Sequence, residues 1–261
     1  MYDLAELERA LAGTIFAGKL HFSPVTGSTN TDALEAARAG APHGSVYFAD
    51  EQHAGRGRGG HGWQSAAGQG LYVSVLLRPL MNAATLRMIP LAAGLAAAEA
   101  IAIAAKLKVD LRWPNDLLIG DRKTGGILVE SKTEGDAVSF VVIGIGINVH
   151  QREFNAELAT PATSLDMEAS RRVSRGALLV SLLESLQHET WGLDDPAVIA
   201  AIPARAALIS TWLWNRRVEV HGPQACVGIT AGLDESGFLR VRTAEGEVTV
   251  RTGGIRAAEM G

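Results

Sequence analysis

Cysteine is nearly missing from this sequence: the 261-residue chain carries only Cys226. One cysteine cannot close an internal disulfide, and such usage fits a reducing compartment, so a cytoplasmic location is expected. An excess of positive charge is missing too. Lys plus Arg number 24 against 28 Asp plus Glu, a net charge of −4, which argues against a general nucleic-acid binder while leaving room for a local basic pocket. The N-terminal stretch MYDLAELERALAG is acidic and amphipathic and lacks the basic start and apolar run of a secretory leader. Long apolar runs are also scarce. Ile89 to Ala105 comes nearest, but it is short for a bilayer and contains Pro90, Gly94 and Glu99, so it reads as a helix buried against a sheet. No G-x-x-x-x-G-K-[ST] string occurs, which removes the P-loop.

What is present divides into two textures. Helical spacing of apolar residues predicts helices over Asp3–Leu11, from Ser28 or Thr29 to Gly40, over Ile89–Ala105, Ser174–Leu193 and Pro196–Trp212. Between them lie strand patterns at Lys19–Phe22, Val46–Ala49, Leu71–Leu77, Val109–Arg112 and Val138–Val149, with a hairpin-like pair at Leu117–Ile119 and Ile127–Ser131. From Trp214 short strands follow at Arg217–His221, Ala225–Leu233, Phe238–Thr243 and Glu247–Thr252. The expected fold is α+β: a mixed sheet flanked by helices over residues 1–213, with a small β-barrel over 214–261.

Between two of the strands stands QHAGRGRGGHGW, Gln52 to Trp63. Gly55–Gly60 literally satisfies G-x-G-x-x-G, but that fingerprint needs a helix directly behind it to receive a pyrophosphate, and here another strand follows. In an extended loop Arg56 and Arg58 point the same way, so both forks can converge on one anion while the glycines admit backbone amides. A solvated turn explains an isolated Gly-Arg-Gly equally well; the longer string with Gln52 and Trp63 favours an anion site. In Arg112-Trp-Pro-Asn-Asp116 the proline fixes the backbone and Asn115 and Asp116 can lock a turn, with Asp116 also able to face a magnesium ion. Lys123 is expected at a hairpin tip beside Gly125 and Gly126, although by residue type alone it is a surface lysine. Gly144-Ile-Gly-Ile-Asn148 reads as a buried strand whose glycines meet something packed closely, ending in an amide able to read a base edge.

Ser28-Thr-Asn30, Gln52 with Gly-Arg-Gly-Arg58 and Trp63, Arg112-Trp-Pro-Asn-Asp116, Asp121-Arg-Lys123 with Gly126-Ile-Leu, and Gly144-Ile-Gly-Ile-Asn-Val149 occur in this order. Together they resemble the biotin protein ligases, from about residue 20 to the C-terminus. Arg112 departs from the family, which usually has lysine before Trp-Pro-Asn-Asp. The stretch ahead of the first motif is too short for a winged helix-turn-helix, so the resemblance implies the monofunctional kind, with no DNA partner and no membrane.

The resemblance implies a class II synthetase-like catalytic fold with a C-terminal SH3-like barrel. It also implies a two-step reaction: biotin and ATP give biotinyl-5′-AMP, which is then passed to a lysine of a biotin carboxyl carrier protein. Mg²⁺ would screen the phosphates. In this implied scheme Ser28, Thr29, Asn30, Gln52, Arg56, Gly57, Arg58, Lys123 and Gly126 bind biotin. Arg56, Arg58, Trp63, Arg112, Asn115, Lys123 and Asn148 bind ATP or the adenylate, Lys123 and Arg56 are catalytic, and Asp116 is the metal candidate. The resemblance allows a homodimer. A lipoate-type ligase of the same fold family is the alternative; its transferase branch needs an active-site cysteine, and Cys226 lies in the barrel region. The stretch Gln151–Ala162 looks irregular and is expected to order on ligand.

Overall fold

In the computed structural model, which describes residues 2–258, seven strands make one mixed sheet. They are β1 (Leu20–Thr26), β2 (Ser45–Gln52), β3 (Gly70–Leu77), β4 (Asp110–Arg112), β5 (Asp116–Ile119), β6 (Arg122–Glu134) and β7 (Ala137–Asn148). Their spatial order is β1-β2-β3-β7-β6-β5-β4. β1 and β2 run parallel, and the other neighbouring pairs are antiparallel. Pro24 is tolerated in β1 because that strand lies on an edge.

The helices are α1 (Leu4–Ala10), α2 (Thr29–Arg38), α3 (Ile89–Ala105), α4 (Leu165–Glu168), α5 (Arg175–Thr190) and α6 (Pro196–Ile209). Period-two alternation sorts β3 between two cores. Val73, Val75 and Leu77 join the large cluster that includes α3 and α5. Leu76 faces the other way and packs with Ala33 and Ala37 of α2 and with Phe140 and Val142 of β7. One face of the sheet is therefore covered by α2, and the residues of β3 on that face are Tyr72, Ser74 and Leu76.

The expected burial of Ile89–Ala105 is found. Its alanines and leucines are apolar all round, and the helix is enclosed on most sides, packing against α5, α6 and the sheet. With the turn before it, Ala83–Ala105 is long and apolar enough to cross a membrane by length and composition, yet most of it is buried inside the protein. Each fully buried Leu or Ile there contributes about 1.5–3 kcal/mol.

The last part of the chain forms β8 (Trp214–His221), β9 (Cys226–Leu233), β10 (Leu239–Thr243), β11 (Gly246–Val250) and β12 (Gly254–Ala257), an antiparallel sheet in the order β11-β10-β9-β8-β12. The fifth strand was not anticipated; it is short and returns to pair with β8. This sheet is not detached from the larger one. Trp113 Nε1 donates to the Gly237 carbonyl at 3.1 Å, and Val218, Val220 and Val241 belong to the same apolar cluster as α3.

The hairpin around Lys123 departs from the one expected. The turn is made at Gly120, with φ of 60°, and β6 begins already at Arg122. Lys123 is consequently a strand residue and not the hairpin tip expected from the sequence. Its backbone is pinned by Lys123 N–H to the Pro161 carbonyl (2.8 Å) and by Thr163 N–H to the Lys123 carbonyl (2.9 Å). The end of the segment Gln151–Ala162 thus lies against β6.

Candidate active site

The α2-facing side of the sheet's centre is floored by cross-strand rows. Tyr72, Gly146 and Gly126 stand opposite one another across β3, β7 and β6, and so do Ser74, Gly144 and Leu128. The three glycines leave the middle of the floor without side chains. A partly open cavity lies over this floor. Its lining includes Ser28, Thr29, Asn30, Gln52, Arg56, Gly57, Arg58, Trp63, Asn115, Lys123 and Gly126.

Two neighbours explain the glycines of β7. A Cβ on Gly144 would collide with Asn30 Oδ1, and one on Gly146 would sit 2.6 Å from Trp63 Nε1. The close packing expected there is thus provided by Asn30 and Trp63.

The N-terminus of α2 supplies the deepest polar residues. Ser28 is the N-cap residue with extended backbone, but its hydroxyl makes no capping bond. Gln52 Oε1 accepts from Thr29 N–H at 2.9 Å, while Gln52 Nε2 donates to Ser65 Oγ at 2.7 Å. Thr29 Oγ1 lies 2.8 Å from Ser74 Oγ. Ser74 donates to Asn30 Oδ1 at 2.5 Å, and Asn30 Nδ2 donates to Glu130 Oε2 at 2.9 Å. Thr29, Asn30 and Ser74 are buried, so this continuous chain fixes the orientation of each amide and hydroxyl.

The glycine-arginine loop lies above this row. Arg56 forms a paired bond to Glu130, NH1 to Oε1 at 3.1 Å and NH2 to Oε2 at 2.6 Å. Arg58 donates from NH1 to the Gly253 carbonyl, tying the loop to the C-terminal sheet. Burial lowers the Arg58 pKa and the Asp116 carboxylate partly offsets it; a guanidinium stays charged through such a shift. Among the described residues Trp63 Nε1 is buried with no hydrogen-bond partner, a donor the site has left for something else. Lys123 Nζ lies 5.6 Å from the Trp63 ring centre.

On the other side of Lys123 is Asp116. Its Oδ1 is 2.5 Å from Lys123 Nζ, and its Oδ2 accepts from Arg112 NH2 at 2.6 Å and Nε at 3.2 Å. Burial pushes the Asp116 carboxyl up, but Lys123 and Arg112 outweigh it and hold the pKa below the ordinary value. Arg112 is buried, also donates to Thr160 Oγ1 at 2.9 Å, and stacks near Trp212 at 5.2 Å. Asn115 lines the cavity with its amide fixed on the Ile127 carbonyl (2.8 Å), behind the cis Trp113–Pro114 bond.

Arg112, Asp116 and Asn148 do not line the main cavity. Arg112 and Asp116 border a smaller neighbouring hollow. Asn148 donates to the Thr163 carbonyl at 3.0 Å. Three contributors went unnoticed in the sequence: Ser74, Tyr72 and Glu130. Ser74 did carry a signal, being a polar residue inside an otherwise apolar strand, whereas Glu130 opens the polar end of β6 and carried none.

Residues 22–148 match the biotin/lipoate A/B protein ligase family. The chain is 38% identical over 249 residues to the bifunctional ligase/repressor BirA of Bacillus subtilis, covering 93% of this chain and 75% of that protein. It is 35% identical over 237 residues to the biotin–[acetyl-CoA-carboxylase] ligase of Mycobacterium tuberculosis, covering 88% and 85%. Among solved structures, the biotin protein ligase of Aquifex aeolicus in complex with biotin and ATP superposes with a TM-score of 0.78 at 27% identity, over 92% of this chain and 98% of that one. This chain belongs to the biotin protein ligase family.

Proposed function

We propose that this protein is an ATP-dependent ligase. It joins biotin to AMP as biotinyl-5′-AMP and passes the biotinyl group to a lysine of the biotin carrier domain of a carboxylase. The observation that carries the reading is convergence: the motif residues from α2, the glycine-arginine loop and β6 line one cavity over a glycine floor.

In the first step a biotin carboxylate oxygen attacks the α-phosphorus of ATP, a P–O bond to the pyrophosphate breaks, and pyrophosphate leaves. Both reactants are anionic, so the site must supply cations where charge accumulates. Arg56, Arg58 and Lys123 are those cations. Lys123 is aimed by Asp116 on one side and the Trp63 ring on the other, which fixes an otherwise flexible stem. The ordered row Gln52–Thr29–Ser74–Asn30, with the free Ser28 hydroxyl, receives the polar atoms of biotin, and Trp63 Nε1 and Gly57 serve the adenylate. Arg112 and Asn148 act from behind the lining, one holding Asp116 and the other holding Thr163. In the second step the carrier lysine's uncharged amine attacks the biotinyl carbonyl; an amide forms, AMP leaves, and the amine proton passes to solvent or phosphate. The loop, shut over the mixed anhydride, keeps water from the carbonyl in the interval.

The side chains do not form a cage for Mg²⁺. Both oxygens of Asp116 already face cations, and no group of three His, Cys, Asp or Glu side chains able to hold a metal occurs among the described residues. Mg²⁺ in this reading arrives as part of its nucleotide substrate, bound to phosphate oxygens. The test is incubation with ATP, biotin and a biotin carrier domain, read by streptavidin blot. Carrier labelling that disappears when the acceptor lysine is replaced is expected; no labelling from biotin, with pyrophosphate released on lipoate and ATP instead, would assign the chain to the lipoate branch.

A further inference from the structure

Glu130 has no part in the scheme above, yet its carboxylate touches both halves of the site. It accepts the paired bond from Arg56 and the Asn30 amide bond described above. It stands on β6 opposite Val142, two residues along the strand from Leu128 of the cavity floor. The Arg56 and Glu130 side chains are 41% and 28% exposed, and pairs so placed contribute only about 0–1 kcal/mol to stability. Stability alone therefore gives little reason for a carboxylate in the run Ile127-Leu-Val-Glu130.

Orientation gives a better one. With Nδ2 held by Glu130 and Oδ1 held by Ser74, the Asn30 amide cannot rotate without losing two bonds. Glu130 takes one N–H from each terminal nitrogen of Arg56, leaving the Nε edge and the remaining N–H groups for a ligand. We propose that Glu130 is a positioning residue of adenylate formation, holding Arg56 and Asn30 in one frame so that the guanidinium meets the polyphosphate while the amide meets biotin. The inference rests on the ligase reading. A carboxylate that merely occupied Arg56 until substrate displaced it would do the opposite and slow the reaction.

The test uses the full chain with E130Q, E130D, R56A and the R56A/E130Q double variant. Single-turnover pyrophosphate release with ATP and biotin is followed beside the thermal midpoint. A glutamine turns an N–H group towards Arg56 and loses the ion pair. The expected result is a rate about tenfold lower with little change in midpoint, in line with the cost of misplaced catalytic groups. E130D should recover part of the loss, and it stands in as test variant if E130Q fails to fold. In the R56A background E130Q should cost clearly less than in the parent, because the part of its effect that passes through Arg56 is already lost and only the hold on Asn30 remains. Parent-level or faster rates in E130Q, or losses that add to those of R56A, would overturn the proposal. An inactive parent chain would remove the ligase reading and this inference with it; an active parent with an unaffected E130Q removes this inference alone.

Discussion

Lys123→Ala separates two roles that the geometry superimposes on one ammonium. Lys123 Nζ sits 2.5 Å from Asp116 Oδ1, with side-chain exposures of 28% and 15%, so deletion removes one partner of a mostly buried carboxylate. Were Asp116 left alone, the cost would be about 3–5 kcal/mol. It is not left alone, because Arg112 still donates to Oδ2. The loss should then be nearer 1 kcal/mol, a drop of about 2–4 °C in Tm for a chain of this size. Catalysis should suffer more. A charge-assisted contact made chiefly to the developing phosphate charge is worth about 2–3 kcal/mol, or roughly 30- to 150-fold in rate. The assay is quenched-flow formation of biotinyl-5′-AMP from saturating ATP and biotin, with Tm measured by calorimetry on the same preparation. A lowered Tm with a rate within about twofold of the parent would show that Lys123 only neutralises Asp116, and the catalytic assignment would fall.

Gly146→Ala should keep the sheet but displace the Trp63 indole, since the new Cβ would lie 2.6 Å from Nε1; overpacking predicts about 1–3 kcal/mol of destabilisation, and weaker nucleotide binding by calorimetry checks the displacement. Arg58→Gly should release the loop from Gly253 and let biotinyl-5′-AMP escape roughly 10- to 150-fold faster, seen as streptavidin-detectable labelling of a bystander protein; labelling at parent level would count against the lid. The Asp116 pKa is lower folded than its ordinary 3.8, so its contribution is complete above that value and lost as pH falls through the lowered one. Lys123→Ala lifts the folded pKa, so acid unfolding followed by circular dichroism should show less of this stabilisation, lost at higher pH than in the parent.

The site was legible in the sequence wherever its chemistry is carried by local strings. The Ser-Thr-Asn, Gly-Arg-Gly-Arg and Trp-Pro-Asn-Asp blocks declare their residue types without the fold, and most of their side chains do line one cavity. Lys123 lies in a strand and not at the turn because its backbone is held by Pro161, Ala162 and Thr163, some forty residues away and invisible in seven local residues. Glu130 and Ser74 were missed for a related reason. Their partners lie 100 and 44 positions away at Asn30, a distance that only cross-strand register closes. The glycines of β7 were read correctly as sites of close packing, but the packed groups, Asn30 and Trp63, became identifiable only from the three-dimensional arrangement.

The central claim is that the cavity above Gly126, Gly144 and Gly146 forms biotinyl-5′-AMP without help from any acceptor. It is tested most directly by mixing the protein with ATP, Mg²⁺ and biotin in the absence of a carrier and measuring the pyrophosphate burst, with lipoate in place of biotin as the control. A burst approaching one equivalent per active chain with biotin, followed by little turnover, and no burst with lipoate, is predicted. A burst with lipoate, or none with biotin, would contradict it.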